Sequence, residues 1–377
     1  MTLACLNIVN FRNLCSAEYA YLIPGFNCIY GKNGSGKTSL LEAIYYLSRG
    51  RSFRTSILSH LIHEQANSFV ISSQSHSFCS TQSYLLGVER GRKNNISRRI
   101  NNEQVHSSAE IASLLPVLLI NSTCHELLEG GPQYRRQYLD WGLFYHSEHF
   151  YSLWRQFTRA LKQRNRILQQ RGSHIEIEAW STELIHYANQ IAELRSRYTQ
   201  NLLPFLQIAL AQLLPLFSSI ELSYYSGWDD SLSYAEQLHH SLTQDHYLGY
   251  TQYGPHRADL RIYINGLLAK EWLSRGQQKL FVCAMIIAQG ALLITYQKRM
   301  PIYLLDDLPS ELDRYSQHAL MEHLTQQNAQ IFLTSIEEDQ AKLLKQYTKN
   351  PFEMFHVKHE TIETKRSVQS EIASYTE

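Results

Sequence analysis

Neither sign of charge dominates this 377-residue sequence. It carries 35 lysines and arginines against 34 acidic residues, which gives a net charge of +1. A positive field over the whole surface, of the kind that draws a protein to nucleic acid or to an anionic membrane, is therefore excluded. Any contact with DNA must come from local basic patches. The length predicts about two or three domains.

The sequence also has few cysteines, and none of them has the paired CxxC spacing of zinc sites. They are Cys5, Cys15, Cys28, Cys79, Cys124 and Cys283. Scattered single cysteines are typical of reduced thiols that pack in a protein interior. The histidines show no HExxH-type spacing, so we assign no metal to them.

Long apolar segments are missing too. The first ten residues contain no basic segment followed by an apolar one, which argues against a signal peptide. The most apolar stretch, from Leu280 to Tyr296, is interrupted by Gln289 and Gly290 and is shorter than the roughly 20 residues that cross a bilayer. We therefore predict a buried helix there, and a soluble, cytoplasmic protein.

A complete phosphate-binding P-loop is present. Its residues are Gly31, Lys32, Asn33, Gly34, Ser35, Gly36, Lys37 and Thr38, and Ser39 follows them in the predicted helix. The glycines let successive backbone N–H groups face the phosphates, Lys37 neutralises phosphate oxygens, and the Thr38 hydroxyl is suited to Mg²⁺. Phe26–Tyr30 is predicted as the preceding strand, which favours a nucleoside triphosphate site over a glycine-rich surface turn.

Two carboxylates follow a second apolar strand. Ile302–Leu305 precedes Asp306 and Asp307, the pattern called Walker B. Asp306 would hold Mg²⁺ through its water shell, and Asp307 would orient or deprotonate the attacking water. Asp307 and Lys37 are therefore the predicted catalytic residues, and Thr38 and Asp306 are the predicted metal ligands. An Asp-Asp pair at a strand end is common without such a role, but the P-loop favours the functional interpretation.

Residues 273–279, Leu-Ser-Arg-Gly-Gln-Gln-Lys, are close to the LSGGQ signature of ABC-type ATPases, with Arg275 in place of one glycine. In that class the signature helix of one subunit points its positive N-terminus at the γ-phosphate held by the other. Ser274, Gly276 and Gln277 would then contact the nucleotide. The alternative is a helix that Ser274 merely caps. Pro309–Asp313 takes the place of the ABC D-loop.

Helical periodicity predicts a short arm in the middle of the chain. Apolar positions favour helices over 147–171, with Ser147 as N-cap and Gly172 after the end, and over 175–203. Two such helices would pack antiparallel as a hairpin about 35 to 40 Å long. Short β-like runs at 3–9, 26–30, 69–72 and 84–88 flank the P-loop helix.

Basic side chains cluster in three places and are the candidate DNA contacts. They are Arg92, Lys93, Arg98 and Arg99 in a predicted hairpin or loop, Arg135 and Arg136, and Lys162, Arg164 and Arg166 on the first arm helix. The alternatives are a solvated surface and, for Arg135 and Arg136, an internal salt bridge near Asp140.

The motifs together resemble the RecF family, DNA-repair ATPases related to SMC proteins. The resemblance rests on residues 10–13, the P-loop, 50–54, 130–141, 254–257, 273–279 and 304–313, which keep the family's order over nearly the whole chain. It implies an α/β fold: an ABC-type (SMC-like) P-loop ATPase head with a small helical arm domain. The expected division is head at 1–145 and 241–358, arm at 146–240, and a flexible tail at 359–377.

The same resemblance implies a function. The chain would bind ATP and Mg²⁺, dimerise on ATP to clamp duplex DNA near single-strand gaps, and act with RecO and RecR to help load the recombinase RecA. A weak, DNA-dependent ATPase activity would release it. Arg12 and Asn13 match a segment near the nucleotide. Leu118 stands where the family usually has a glutamine that contacts Mg²⁺ and the lytic water, which predicts slower hydrolysis unless the alignment slips by a residue.

Other P-loop proteins remain as alternatives. An ABC transporter-type ATPase subunit uses the same motifs, but the missing glutamine, Ser335 in place of the switch histidine, and the long interval between Thr38 and Ser274 argue against it. A structural SMC protein would need a longer chain for its coiled-coil arms. A small-molecule kinase would have no use for the Ser274 helix.

Overall fold

The computed structural model describes residues 1–76, 82–93, 95–215, 219–307, 312–358 and 361–364. The chain forms two compact units. The first comprises Met1–Cys124 and Lys298–Glu377, and the second His125–Gln297. The second unit contains both the predicted arm and the signature segment. The predicted domain boundaries at 145, 240 and 358 stay a prediction.

The secondary structure elements follow in chain order. The strands are β1 (Thr2–Phe11), β2 (Leu14–Tyr19), β3 (Phe26–Tyr30), β4 (Ser68–His76), β5 (Ser83–Gly91), β6 (Ile96–Ile100), β7 (Glu103–Gln104), β8 (Val117–Ile120), β9 (Ile220–Tyr225), β10 (Asp259–Ile264), β11 (Leu267–Leu268), β12 (Ile302–Leu305), β13 (Gln330–Ser335), β14 (Phe352–Lys358) and β15 (Thr361–Thr364). The helices are α1 (Lys37–Arg49), α2 (Ser108–Leu114), α3 (Glu126–Glu129), α4 (Pro132–His146), α5 (Phe150–Gln169), α6 (His174–Leu213), α7 (Tyr234–Leu248), α8 (Ala269–Trp272), α9 (Arg275–Gln297), α10 (Arg314–Gln326) and α11 (Glu338–Gln346).

Two sheets and α1 form the core of the first unit. One sheet is antiparallel, with the strand order β2-β1-β4-β5-β6-β7, and the other is mainly parallel, with the order β15-β14-β3-β13-β12-β8. Leu40 and Ile44 of α1 share a buried core with Phe69 of the antiparallel sheet and Leu304 of the parallel one. Because β3, β13, β12 and β8 run in the same direction, their carboxyl ends meet at one edge of the sheet. The P-loop leaves β3 at this edge.

The predicted strands of the first unit are confirmed, with longer bounds at β1, β4 and β5. The basic stretch is a hairpin in which β5 pairs antiparallel with β6, so that Arg90 lies opposite Ile96. Of the predicted flexible tail, Thr361–Thr364 instead forms β15, which pairs with β14. Residues 365–377 lie outside the described residues.

A helical hairpin of α5 and α6 dominates the second unit, as predicted, but its second helix is longer. α6 has 40 residues and continues beyond position 203 through Pro204 to Leu213, about 60 Å at 1.5 Å per residue. A capping box starts it, because the Ser173 hydroxyl accepts from the N–H of Glu176. The predicted N-cap of α5 is wrong by two residues, since Ser147 is the C-cap of α4 and the N-cap of α5 is His149. A small sheet with the order β11-β10-β9 completes the unit.

The apolar stretch at 280–296 lies in α9, a mostly buried helix, as predicted. By length and composition α9 would be able to cross a membrane, but 72% of its most apolar window is buried inside the protein. The side-chain amide of Gln289 donates to the backbone oxygen of Tyr138 on α4 and to the hydroxyl of Tyr198 on α6, at 2.8 and 3.1 Å. These bonds satisfy the polar group inside the core.

None of the cysteines in the described ranges forms a disulfide, and Cys28 and Cys283 are buried. Cys79 lies outside those ranges.

Candidate nucleotide site and basic surfaces

The P-loop links β3 to α1 through residues with positive φ. Gly34 has φ 80° and Gly36 has φ 113°, a backbone region that residues with a Cβ rarely adopt. A Cβ on Gly36 would also lie 2.7 Å from the side chain of Leu14. α1 starts at Lys37, directly after this glycine. Since glycine has no side chain to cap the helix, the first N–H groups of α1 are available to an anion.

Lys37 and Ser35 carry polar atoms that suit a bound triphosphate. The Lys37 ammonium donates to the backbone oxygens of Gly31 and Lys32, at 2.7 and 3.0 Å. Partial burial lowers the pKa of Lys37, and the carboxylates of Asp307 and Asp306 act against this shift. The Ser35 hydroxyl is buried and has no hydrogen-bond partner among the described residues. Phosphate oxygens would satisfy both groups, so a triphosphate fits the loop.

Asn13 holds the P-loop from the side. Its amide nitrogen donates to the backbone oxygen of Gly34 at 3.0 Å, and its amide oxygen accepts from the Ser39 hydroxyl at 2.8 Å. The structure therefore places Asn13 against the loop, where it sets the shape of the phosphate-binding segment.

Arg12 is tied to a buried acid instead of being free for the nucleotide. Its guanidinium donates to both carboxylate oxygens of Glu42 on α1, at 2.9 and 2.7 Å. Glu42 is fully buried and also accepts from the Ser52 hydroxyl and, at 3.5 Å, from Arg54. Arg12 is thus a support of α1, because a buried carboxylate needs this pairing. The sequence signal for Glu42 is an acid between the apolar positions Leu41 and Ala43.

The two Walker B acids lie beside the P-loop helix. The Thr38 hydroxyl donates to Oδ1 of Asp306 at 3.0 Å, and the Thr334 hydroxyl of β13 donates to the same oxygen at 3.1 Å. Burial raises the pKa of Asp306, and the hydrogen bonds from Thr38 and Thr334 act in the opposite direction. Asp307 follows with φ 55°. The structure thus brings Lys37, Thr38, Asp306 and Asp307 together at one sheet edge.

Leu118 does not lie where a residue contacting Mg²⁺ would have to be. β8 runs parallel to β12 with Leu118 opposite Tyr303, and Leu118 is 5% exposed. Because strand residues alternate between faces, Leu118 faces the opposite side of the sheet from Asp306 and lies deeper in it. Leu118 is therefore not placed to contact Mg²⁺ or the lytic water, and the register favours the alternative that the alignment slips. The rate of hydrolysis stays a prediction.

Asn121 is the residue level with Asp306. Ile120 lies opposite Leu305 in the β8–β12 pair, and its backbone oxygen accepts from the N–H of Asp306 at 2.9 Å. The next residue, Asn121, is a half-buried carboxamide at the carboxyl edge of the sheet. In the sequence, Asn121 can be recognised as a polar residue that directly follows an apolar strand.

The signature segment opens α9 with its N-terminus exposed. The N–H of Ser274 donates to the Gln277 side chain at 3.0 Å, and the N–H of Gln277 donates to the Ser274 hydroxyl at 3.4 Å. A Cβ on Gly276 would meet nothing within 4 Å. The packing of this chain therefore gives no reason for a glycine at that exposed position. Of the predicted D-loop, Pro309–Glu311 lies outside the described residues.

Two candidate DNA contacts are engaged in internal ion pairs. The Arg164 side chain is 0% exposed and donates to Asp245 at 2.8 Å and to Thr251 at 2.6 Å, so it cannot reach a DNA phosphate. Arg135 forms a bidentate salt bridge with Asp259, with N–O distances of 2.7 and 3.1 Å, and it also donates to the backbone oxygen of Gly130. The predicted internal salt bridge of Arg135 exists, and its partner is Asp259. Asp140 pairs with Arg195 and also interacts with Arg136.

Three more candidates already use their guanidinium groups within the protein. Arg136 is half-buried and donates to the backbone oxygen of Ala258 at 2.8 Å, and burial lowers its pKa. Arg92 donates to the backbone oxygens of Ala66, Glu64 and His63. Arg98 is half-buried and reaches the backbone oxygen of His106 at 3.5 Å. These arginines hold loops in place.

The remaining candidates are exposed. Lys93 and Arg99 lie at the β5–β6 hairpin, and Lys162 and Arg166 lie on α5. Arg155 and Arg159 are exposed as well, and the spacing of 155, 159, 162 and 166 puts all four side chains on one stripe of the helix. The structure therefore provides a basic stripe on α5, defined by Arg155, Arg159, Lys162 and Arg166.

Comparison with known proteins assigns this arrangement to a family. The model of the RecF/RecN/SMC N-terminal domain matches residues 2–363. The DNA replication and repair protein RecF of Haemophilus ducreyi is 39% identical over 364 residues, which cover 97% of this chain and 100% of that protein. RecF of Shewanella frigidimarina is 40% identical over 359 residues, covering 95% of this chain and 98% of that protein.

Solved structures agree. The structure of the recombination mediator protein RecF-ATP in the RecFOR pathway superposes with a TM-score of 0.84 at 25% identity, covering 97% of this chain and 98% of that one. An Smc head bound to the C-terminal winged-helix domain of ScpA superposes with a TM-score of 0.60 at 13% identity, covering 98% of each chain, and shows the fold alone. The chain belongs to the RecF family and has the fold of an SMC-like ABC ATPase head.

Proposed function

We propose that this chain is an ATP-dependent DNA-binding protein of recombinational repair, which dimerises around ATP to clamp duplex DNA near single-strand gaps. The names of its relatives, DNA replication and repair protein RecF, support the repair role, and the neighbour with ATP supports the nucleotide. The observation that supports the dimer is Gly276, an exposed glycine at the start of α9. A Cβ at this position would meet no other atom of the chain within 4 Å, so its packing does not require a glycine there.

In this proposal the P-loop binds ATP. The backbone from Gly31 to Thr38 surrounds the phosphates, Lys37 moves its ammonium from backbone oxygens to phosphate oxygens, and Ser35 gains a partner for its buried hydroxyl. Thr38 and Asp306 would hold Mg²⁺, which when bound neutralises charge on the phosphate oxygens. Asn13 supports the loop, and Arg12 supports α1 through Glu42.

Hydrolysis acts as the timer of the clamp. Asp307 orients or deprotonates the attacking water, and Lys37 stabilises the charge that develops on the phosphates. The enzyme is a weak, DNA-dependent ATPase. Its functional form is the ATP-bound dimer on DNA, and hydrolysis ends that state. Asn121 lies at the same sheet edge as Asp306. We propose that its carboxamide, and not the side chain of Leu118, is the polar group near the attacking water.

The second half of the site comes from a second copy of the chain. Ser274, Gly276 and Gln277 of one copy face the γ-phosphate that the P-loop of the other holds. The positive end of α9 and its exposed N–H groups suit that anion. Glycine at position 276 then allows a close approach of the phosphate.

We expect Gly276→Glu to abolish dimerisation without harming the fold. Position 276 has open space around it, and glutamate favours the first turn of a helix more than glycine does. Its carboxylate would repel the γ-phosphate of the partner copy. The measurement is sedimentation with saturating ATP, together with an ATP titration and a thermal melt.

The matched control for this variant is Gly276→Ala, which adds a methyl group and no charge and should weaken the dimer less. A Gly276→Glu protein that binds ATP and sediments as a dimer would contradict the sandwich.

DNA is proposed to bind at the exposed basic side chains. These are the basic stripe on α5, with Lys162 and Arg166, and the hairpin residues Lys93 and Arg99. Arg92, Arg98 and Arg136 are weaker candidates because their guanidinium groups hold loops. RecO and RecR are the proposed protein partners, in agreement with the RecFOR pathway of the structural neighbour, and the cytoplasm is the proposed location.

The double variant Lys162→Ala/Arg166→Ala is expected to bind DNA with a smaller salt dependence. Each phosphate contact contributes about −0.9 to the slope of log affinity against log salt, so the slope should become shallower by about 2. Fluorescence anisotropy with a gapped duplex across a salt series measures it.

Lys342→Ala, which removes an exposed lysine that pairs with Glu338 and Asp339, is the control and should leave the slope unchanged. An unchanged slope in the double variant would remove the basic stripe from the DNA surface.

A further inference from the structure

A chain of hydrogen bonds connects the P-loop helix to both Walker B acids through Thr334. Thr38 and Thr334 donate to Oδ1 of Asp306, at 3.0 and 3.1 Å. The backbone N–H of Asp307 donates to the Thr334 hydroxyl at 2.7 Å. Thr334 lies on β13, between β3 and β12, and is 1% exposed. One buried hydroxyl therefore serves two adjacent acids.

The hydrogen-bonding capacity of a hydroxyl matches this position. A hydroxyl has one hydrogen to donate and lone pairs to accept with. Thr334 donates its hydrogen to Asp306 and accepts from Asp307. The hydroxyls of Thr38 and Thr334 both donate to Oδ1 of Asp306, so neither of them occupies Oδ2. An aliphatic side chain of the same shape would remove both interactions at once.

The backbone of Asp307 needs such a support. Its φ of 55° lies in the left-handed region, which residues with a Cβ rarely adopt. The direction of the Asp307 side chain depends on that backbone conformation. The hydrogen bond from its N–H to Thr334 holds the conformation at the point where β12 ends.

We propose that Thr334 is the positioning residue of the hydrolytic site: its hydroxyl holds Asp307 in the left-handed conformation that aims the carboxylate, and it fixes which oxygen of Asp306 remains for the metal. Thr334 itself touches no reacting atom. The inference rests on the proposed function, because it assigns a task within the ATP site. A purely structural role, in which the hydroxyl only satisfies buried groups, is the alternative.

The test compares Thr334→Val, which keeps the shape and loses the hydroxyl, with Thr334→Ser, which keeps the hydroxyl. In the valine variant we expect single-turnover ATP hydrolysis to fall by about 10- to 100-fold, since small displacements of a catalytic group have effects of this size. ATP affinity should change by less than about threefold, because the P-loop contacts of Lys37 are untouched. Serine should restore the rate.

A second readout needs no nucleotide. The amide hydrogen of Asp307 is bonded to Thr334 in the protein alone, so its hydrogen exchange should become faster in the valine variant and return to the wild-type rate in the serine variant. Ser48→Ala is the matched control, because Ser48 has a buried hydroxyl in the same unit that donates to the backbone oxygen of Leu115. It should leave hydrolysis and Asp307 exchange unchanged.

The proposal is overturned if the valine variant hydrolyses ATP at the wild-type rate, if Asp307 exchange does not respond, or if Ser48→Ala slows hydrolysis equally. It is also overturned if Thr334→Ser loses as much activity as Thr334→Val, which keeps the test decisive even where the valine protein does not fold. A wild-type protein that fails to bind ATP would instead contradict the proposed function. The two failures are therefore distinguishable.

Discussion

Asp307→Asn is expected to give a protein that dimerises on ATP and then does not come apart. The asparagine keeps the size of the side chain but cannot take a proton from the attacking water, and losing a general base typically slows a reaction by about 100-fold or more. ATP binding should persist, because Lys37 and Thr38 are unchanged. Analytical ultracentrifugation with saturating ATP measures the dimer, and dilution into excess ADP measures its lifetime.

Asp339→Asn is the control for this variant, since Asp339 is an exposed acid on α11 and its loss should leave the dimer lifetime at the wild-type value. A monomeric Asp307→Asn protein at saturating ATP would show that the mechanism is wrong.

Lys37→Ala is expected to lose both ATP binding and dimerisation. The ammonium now donates to the backbone oxygens of Gly31 and Lys32 and lies near two carboxylates, and it is the charge that phosphate oxygens would meet. A hydrogen bond to a charged group contributes about 1.5–3 kcal/mol, so affinity should fall by about 10- to 100-fold or more. Isothermal titration with ATP gives the dissociation constant.

Lys37→Arg separates charge from shape. Arginine keeps the charge, but its planar group cannot replace a compact ammonium inside the loop, so we expect weak binding here as well. A Lys37→Ala protein that binds ATP within about threefold of wild type would exclude the P-loop as the nucleotide site.

The parts of the site that are local in sequence were predictable. The P-loop is a run of adjacent residues, and its glycines, its lysine and the helix that follows determine its geometry without any distant segment. The arm was also predictable as a hairpin, because its apolar residues repeat with the helical period.

The burial of Arg164 was predictable in principle, but its charge obscured it. Phe157, Ala160, Arg164 and Leu168 share one face of α5, and all four are buried. Helical period alone thus places Arg164 on the apolar face, where Asp245 neutralises it. Its neighbours Lys162 and Arg166 lie on the outer face. For a basic residue on an amphipathic helix, the face on which it lies therefore decides whether its charge is available to DNA.

The position of Leu118 and the pairing of Glu42 depend on contacts between segments far apart in the chain. Only the register of β8 against β12 shows that Asn121, and not Leu118, is level with Asp306. The partner of Glu42 on α1 is Arg12, which lies before the P-loop and reaches α1 through the tertiary fold. Motif patterns carry no information about such pairings.

Because α6 is one continuous helix, it can act as a lever arm within the second unit. Its N-terminal end lies at the tip of the hairpin, while Tyr198 further along is bonded to Gln289 on α9, the helix that the signature segment begins. The helix between these points is about 36 Å long at 1.5 Å per residue. A tilt of roughly 10° where α9 meets α6 would therefore swing the tip by roughly 6 Å, so that a small adjustment at the signature segment becomes a visible movement at the far end of the arm.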